Sequence, residues 1–108
     1  MSETEKFLDQ KVRLKPEEIK IIKEAATLLF GEEIEIYIFG SRADLNKKGG
    51  DIDIYIESKN QIKLEDILNF YCILEKKGIE RKVDLLVKGP TKRDKAIYQI
   101  AKNTGVKI

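Results

Sequence analysis

Two short segments in which isoleucine occupies every second position constrain the fold of this chain most strongly. In residues 33–39 and 51–57 the isoleucines fall on one face, while acidic residues and tyrosine fall on the other. A period of two is that of a β-strand with one buried face. We therefore predict two half-buried strands, Glu33–Phe39 and Asp51–Glu57. The link between them is a loop, which favours an antiparallel pair.

Apolar residues at helical spacing predict three amphipathic helices and leave room for one further strand. The helical positions are Ile19, Ile22, Ala26 and Leu29, then Leu64, Ile67, Leu68, Tyr71 and Cys72, and finally Ala96, Ile97, Ile100 and Ala101. Pro16 suits the start of the first helix, and glycines at 31, 78 and 105 suit the three ends. Val83–Val87 is a third strand, which a helical link allows to run parallel to the second.

The resulting order, helix, strand, strand, helix, strand, helix, predicts an α+β fold. We expect a two-layer sandwich with a small mixed sheet and helices packed on one face. Residues 15–108 form the predicted single domain, and residues 1–14 form a polar segment that is loose. Cys72, on the apolar stripe of its helix, is expected in the core.

Composition excludes several classes of function. The 21 basic and 19 acidic residues of this 108-residue chain give a net charge of +2, which argues against an extended nucleic-acid surface. No apolar run is long enough to span a bilayer or to resemble a signal peptide, so we expect a cytoplasmic protein without a membrane role. The sequence has no histidine and one cysteine, so any metal site must use carboxylate oxygens.

Asp51 and Asp53 are the first candidates for such a site. Residues two apart on a strand project from the same face, where two like charges repel each other. A divalent cation would compensate this cost, and Mg²⁺ is the one that typically takes one or two carboxylates together with substrate phosphates. The alternative is an edge strand whose solvent-facing side is merely acidic.

Asp84 favours the metal interpretation, because it interrupts an otherwise apolar strand where a lone ionised carboxylate is costly to bury. If the third strand neighbours the second, Asp84 lies beside Asp51 and Asp53. Three carboxylates on one sheet face suit a two-metal phosphoryl or nucleotidyl transfer site. The third carboxylate is also a candidate general base for an attacking hydroxyl.

The turn Gly40-Ser41-Arg42 ends the first strand near these aspartates. Glycine at a strand end permits close approach of a ligand to the backbone, and arginine can pair with a phosphate. The alternative is an ordinary turn, since Gly and Ser are common there. Lys47 and Lys48, further along the loop, are either phosphate ligands or a solvated basic turn.

Gly40-Ser41 followed by Asp51-x-Asp53 and a later strand Asp84 resembles the minimal nucleotidyltransferases (MNT) of the DNA polymerase β superfamily. The resemblance extends from the helix near Pro16 to the end of the chain. It implies that Gly40, Ser41 and Arg42 bind a nucleoside triphosphate, with Ser41 at the β or γ phosphate. It also implies that the three aspartates bind Mg²⁺ and form the catalytic site. Two departures, a spacing from Ser41 to Asp51 that is one residue short and a glycine at position 50 where many members have serine, predict an altered loop beside an intact metal site.

The resemblance further implies an activity and a partner. The expected reaction moves a nucleoside monophosphate, AMP from ATP, to a hydroxyl. Because the chain has no length for an acceptor-holding domain, we expect a partner protein to present that hydroxyl. MNT proteins commonly pair with HEPN-domain toxins and can AMPylate a tyrosine of the toxin, so the chain is expected to act as an antitoxin. The alternatives are an antitoxin that neutralises its partner by binding alone, and a small α/β domain with a merely acidic sheet face. A homo-oligomer is compatible with each.

Overall fold

A computed structural model of the protein describes residues 12–43, 50–90 and 95–108. Within these ranges it contains three helices and four strands. In chain order they are α1 (Pro16–Phe30), β1 (Ile34–Phe39), β2 (Ile52–Ser58), α2 (Leu64–Lys76), β3 (Val83–Lys88), α3 (Ala96–Thr104) and β4 (Val106–Lys107). A short 3-10 turn, Gly40–Ala43, follows β1 directly.

The strands form one mixed sheet in the order β3-β2-β1-β4. β1 and β2 are antiparallel, and β2 and β3 are parallel, as the loop and helix links predict. β4 is a two-residue strand that pairs antiparallel with β1 and was not predicted. Two residues are too few to show an alternating pattern, so the sequence carries no signal for it. The α+β class and the small mixed sheet are confirmed.

The isoleucine face of the sheet forms the main core. Ile36, Ile38 and the β2 isoleucines pack against α1 and α2, which also contact each other. From α1 the core receives Ile22, and Phe30 of the same helix meets Phe70 of α2 with ring centroids 5.9 Å apart. Alternation along the strands therefore selects this face for burial.

The opposite sheet face is not open to solvent, so the expectation of helices on one face only is wrong. Tyr37 and Tyr55 stack across β1 and β2 with ring centroids 5.9 Å apart, and Tyr98 of α3 stacks on Tyr55 at 5.8 Å. Together with Ala101 these tyrosines form a second buried cluster, the tyrosine cluster. α3 thus covers the middle of this face, and its Lys102 reaches Glu35 and Glu57 at one polar end.

Helix α2 turns a different side inward from the one predicted. Phe70 and Leu74 are buried, whereas Cys72 is exposed, so its expected place in the core is wrong. Leu64 and Leu68 are exposed as well, at 71% and 56%. Apolar residues occupy most positions of α2, so periodicity alone does not select a single face.

The chain just before α1 is packed. Val12 and Leu14 are fully buried in the main core, and the Arg13 amide donates to the Arg42 carbonyl oxygen at 2.7 Å. Residues 12–14 thus depart from the predicted loose segment 1–14, whose residues 1–11 lie outside the described part of the chain. In the described ranges, each helix is too short or too polar to cross a membrane.

Candidate active site

The candidate site lies where β1 ends and β2 and β3 begin. Gly40 starts the 3-10 turn with a φ of +70°, in the left-handed region that side chains disfavour. A Cβ atom at this position would collide with the carboxylate oxygen Oδ2 of Asp53. Glycine is therefore needed at position 40 for two reasons, and its lack of a side chain lets the turn lie against the Asp53 carboxylate.

The sheet register brings two of the three predicted aspartates together. Asp53 and Asp84 are direct partners in the parallel pairing of β2 with β3, so their side chains project from the same face. Asp51 lies just before β2, two residues from Asp53, and is exposed. Asp84 is exposed too, so its carboxylate avoids the cost of burial in an otherwise apolar strand. Asp53 is partly buried between its neighbours.

The surroundings of Asp53 disfavour the charged form of its carboxyl group. Burial raises the pKa of its carboxyl group above the ordinary value, and the negative charges of Asp84 and Asp51 raise it further. The positive charge of Lys82 acts in the opposite direction. Bringing these carboxylates together therefore costs free energy, which a bound cation would offset.

The donor chemistry of the three aspartates fits Mg²⁺, a hard cation that prefers oxygen and keeps open positions for substrate phosphates. In the described residues, however, no three acidic or sulfur-bearing side chains already form a group able to hold a metal ion. The register pairs Asp53 with Asp84, and Asp51 lies two residues before Asp53 in the chain.

The predicted phosphate ligands of the turn and of the loop after it are described by the structure to different extents. Ser41 lies in the 3-10 turn by its backbone, and its side chain lies outside the described part. Lys47 and Lys48 fall within residues 44–49, also outside it. Arg42, by contrast, is described and is 8% exposed.

The Arg42 guanidinium is committed to the backbone. Its terminal nitrogens donate to the carbonyl oxygens of Arg13, at 3.0 Å, and Gly50, at 3.1 Å. These bonds join the chain before α1 to the residue that precedes Asp51. Burial and the nearby charges of Arg13 and Arg81 lower the pKa of Arg42 from its usual value. These contacts make Arg42 a structural link, and its predicted role as a phosphate ligand stays a prediction.

Lys82 is a site residue that the sequence prediction missed. The Ile52 amide donates to the Lys82 carbonyl oxygen at 2.9 Å, which places Lys82 beside Asp51 at the start of the two parallel strands. Its position two residues before Asp84 is the signal that would have found it, since residues two apart in extended chain share a face.

A second group of charges lies at the other end of the same face. The Tyr37 hydroxyl donates to Glu35 at 2.6 Å, and Lys102 of α3 contacts Glu57 at 3.0 Å and Glu35 at 3.8 Å. This charged cluster borders a cleft of about 590 Å³. The three aspartates do not line that cleft.

Comparison with known families gives a match that includes the candidate site. The family model described as "Polymerase beta, Nucleotidyltransferase" matches residues 17–107, which include Gly40, Asp53 and Asp84. Comparison with curated proteins gives no match. The match extends from the first turn of α1 to β4, so it covers the whole sheet and all three helices. The chain therefore belongs to the polymerase beta nucleotidyltransferase family.

Proposed function

We propose that the protein transfers a nucleoside monophosphate, AMP from ATP, to a hydroxyl group of a partner protein. The observation that carries the proposal is the pairing of Asp53 with Asp84 beside Gly40. This pair of carboxylates concentrates negative charge at the end of the turn, where a divalent cation could bind and bridge to a phosphate group.

Asp53 and Asp84, joined by Asp51, would hold Mg²⁺ in this site. The cation would supply charge neutralisation for the phosphates and polarise the oxygens that enter and leave phosphorus. The chain itself contributes position and a proton acceptor. Gly40 lets the turn lie against the Asp53 carboxylate. One of the aspartates accepts the proton of the attacking hydroxyl as its oxygen bonds to the α phosphorus and pyrophosphate leaves.

The acceptor of the proposed reaction is a tyrosine of a HEPN-domain toxin, which makes the protein an antitoxin. Exposed apolar side chains support a protein partner: Ile97 and Ile100 on α3 are 45% and 54% exposed, and Leu64 and Leu68 on α2 are more exposed still. On each helix the two residues are three or four positions apart and so are neighbours, and contiguous apolar patches mark contacts with another protein.

An antitoxin that neutralises by binding alone is the second candidate. The observation that favours it is that Asp51, Asp53 and Asp84 are not already gathered around a common point. This candidate requires the apolar helix surfaces but not the carboxylates, so the two candidates differ in what an aspartate substitution does.

The deciding experiment incubates the protein with ATP labelled on the α phosphate, Mg²⁺ and a HEPN partner. We expect label on the partner with the wild type and a loss of at least a hundredfold with Asp53→Asn, because the substitution removes a charged cation ligand. The matched control is Asp66→Asn on α2, which packs against the other sheet face.

Equal labelling by wild type and Asp53→Asn would contradict catalysis at this site. Absence of labelling, together with toxin neutralisation by both Asp53→Asn and Asp51→Asn, would establish the binding candidate instead.

A further inference from the structure

We propose that Lys82 is a substrate-binding residue, whose ammonium group balances the charge of the aspartates before the nucleotide binds and contacts the triphosphate afterwards. The inference deepens the proposed function and rests on it. It concerns a residue outside the Gly-Ser and aspartate motifs.

The sheet places Lys82 within the aspartate group. Ile52 and Val83 are register partners, so the residues immediately before them, Asp51 and Lys82, face each other across the parallel strands. The hydrogen bond from the Ile52 amide to the Lys82 carbonyl oxygen fixes this arrangement at 2.9 Å. Asp51 and Lys82 thus form one row on the face, and Asp53 and Asp84 form the next.

The Lys82 ammonium is available for a ligand. Its side chain is exposed, and within the described ranges it forms no hydrogen bond or ion pair with another side chain. Its charge nevertheless acts on Asp53. An ammonium whose charge acts on Asp53, but which is paired with no side chain in the described ranges, can turn toward a phosphate.

Chemistry favours a triphosphate as that ligand. A nucleoside triphosphate with Mg²⁺ brings more negative charge than the cation neutralises, so the site needs a further positive group. Arg42 is less well placed to supply it than Lys82, because it is buried and its terminal nitrogens already donate to backbone oxygens, whereas Lys82 is exposed. A lysine suits this task, since its ammonium acts as a compact point charge on a flexible stem.

The two parts of the proposed role of Lys82 predict that Lys82→Ala changes cation affinity and ATP affinity in opposite directions. Removing the Lys82 charge leaves three carboxylates without their balancing neighbour, so a divalent cation alone binds more tightly. The same change removes a phosphate ligand, so ATP binds less tightly. A residue that merely supports the fold would weaken both.

The test measures binding of Mn²⁺ alone, by electron paramagnetic resonance, and of ATP with Mg²⁺, by calorimetry, to Lys82→Ala and the wild type. We expect ATP to bind about tenfold or more weakly, the range of one charge-assisted hydrogen bond, and Mn²⁺ to bind more tightly than before. Lys82→Arg keeps the charge and should retain most ATP affinity. Lys77→Ala, an exposed lysine after α2, is the matched control and should change neither.

Adenosine separates phosphate recognition from general damage, because it has no phosphate and should bind both proteins equally. Unchanged ATP affinity in Lys82→Ala, or Mn²⁺ binding that is unchanged or weaker, would overturn the role of Lys82. If the wild type binds no ATP, the proposed function and this inference both fail. If the wild type binds ATP and Asp53→Asn abolishes transfer while Lys82→Ala changes nothing, only this inference fails.

Discussion

Gly40 shows how one residue can serve both the backbone and the site. Its positive φ and its contact with Asp53 are independent demands, and each excludes a side chain. Gly78, after α2, has a similar φ of +96°, but a Cβ atom there would meet nothing within 4 Å. Substitution at Gly78 therefore measures the free-energy cost of the backbone conformation alone, and substitution at Gly40 adds the cost of crowding the Asp53 carboxylate.

We expect Gly78→Ala to lower the free energy of unfolding by about 1 kcal/mol, which is the cost of a left-handed conformation for alanine. Gly40→Ala should lower it by about 2–4 kcal/mol, because the Asp53 side chain must also move. Urea unfolding measures both values, and labelled ATP measures transfer. Equal destabilisation by the two substitutions, with activity kept, would show that the contact between residue 40 and Asp53 is unimportant.

At the scale of elements, the tyrosine cluster is what attaches α3 to the sheet. Tyr98 and Ala101 are the buried residues of that helix, and both contact the sheet tyrosines. The hydroxyl of Tyr37 bonds to Glu35, so the edge of this cluster meets the charged cluster beyond it. The pKa of the Tyr37 hydroxyl, which lies beside the Glu35 carboxylate, can therefore be tested through the pH dependence of stability.

We expect the protein to lose stability in alkali as Tyr37 ionises. Burial, together with the hydrogen bond to Glu35, raises the pKa of Tyr37 from 10.0 to about 12. A pKa raised in the folded state gives stability that is complete below pH 10 and is lost as the pH rises through 12. Urea unfolding at several pH values should show a smaller alkaline loss for Tyr37→Phe than for the wild type. Identical pH dependence in the two proteins would refute this assignment.

Element by element, the sequence predicts more about the strands than about the helix faces. Alternating isoleucines identify β1 and β2 and their inward face, and the lengths of the links predict the strand directions. The pattern does not reveal that Tyr37 and Tyr55 are buried, because alternation separates two faces without saying what covers the second. The prediction that Cys72 lies in the core is wrong for a related reason. Apolar residues occupy most positions of α2, so the pattern does not identify the side that faces the core.

In the candidate site, the sequence motifs identify the aspartates, and the register explains why Asp53 meets Asp84. The role of Arg42 was not accessible from sequence, because its partners, Arg13 and Gly50, bind through backbone oxygens. Any residue type offers such an oxygen. A basic residue in a turn near the site therefore resembles a phosphate ligand until its contacts are known.

At the scale of the whole molecule, Arg42 joins parts of the chain that are distant in sequence. It connects residue 13, before the first helix, with the turn after β1 and with residue 50, which leads into β2. The site is thereby coupled to the packing of Val12 and Leu14 in the core.

We expect Arg42→Ala to lower the free energy of unfolding by about 3 kcal/mol, because two hydrogen bonds from a charged donor are lost. Arg42→Lys should recover part of this loss. Amide hydrogen exchange at Arg13, whose N–H donates to the Arg42 carbonyl oxygen, should quicken in Arg42→Ala. A phosphate ligand would behave differently: Arg42→Lys would keep the stability of the wild type, and the loss in Arg42→Ala would fall on ATP affinity alone.

The tyrosine cluster lies between two groups of charged side chains on one face of the sheet. Asp53 and Glu57 lie four residues apart on β2, which is about 13 Å along a strand. That span exceeds the screening length of about 8 Å at physiological ionic strength, and Asp51 and Asp84 at one end and Lys102 at the other are exposed to the screening solvent. Substitutions among Glu35, Glu57 and Lys102 should therefore alter the charge of the molecule without retuning the aspartates, so that the two ends can diverge independently during evolution.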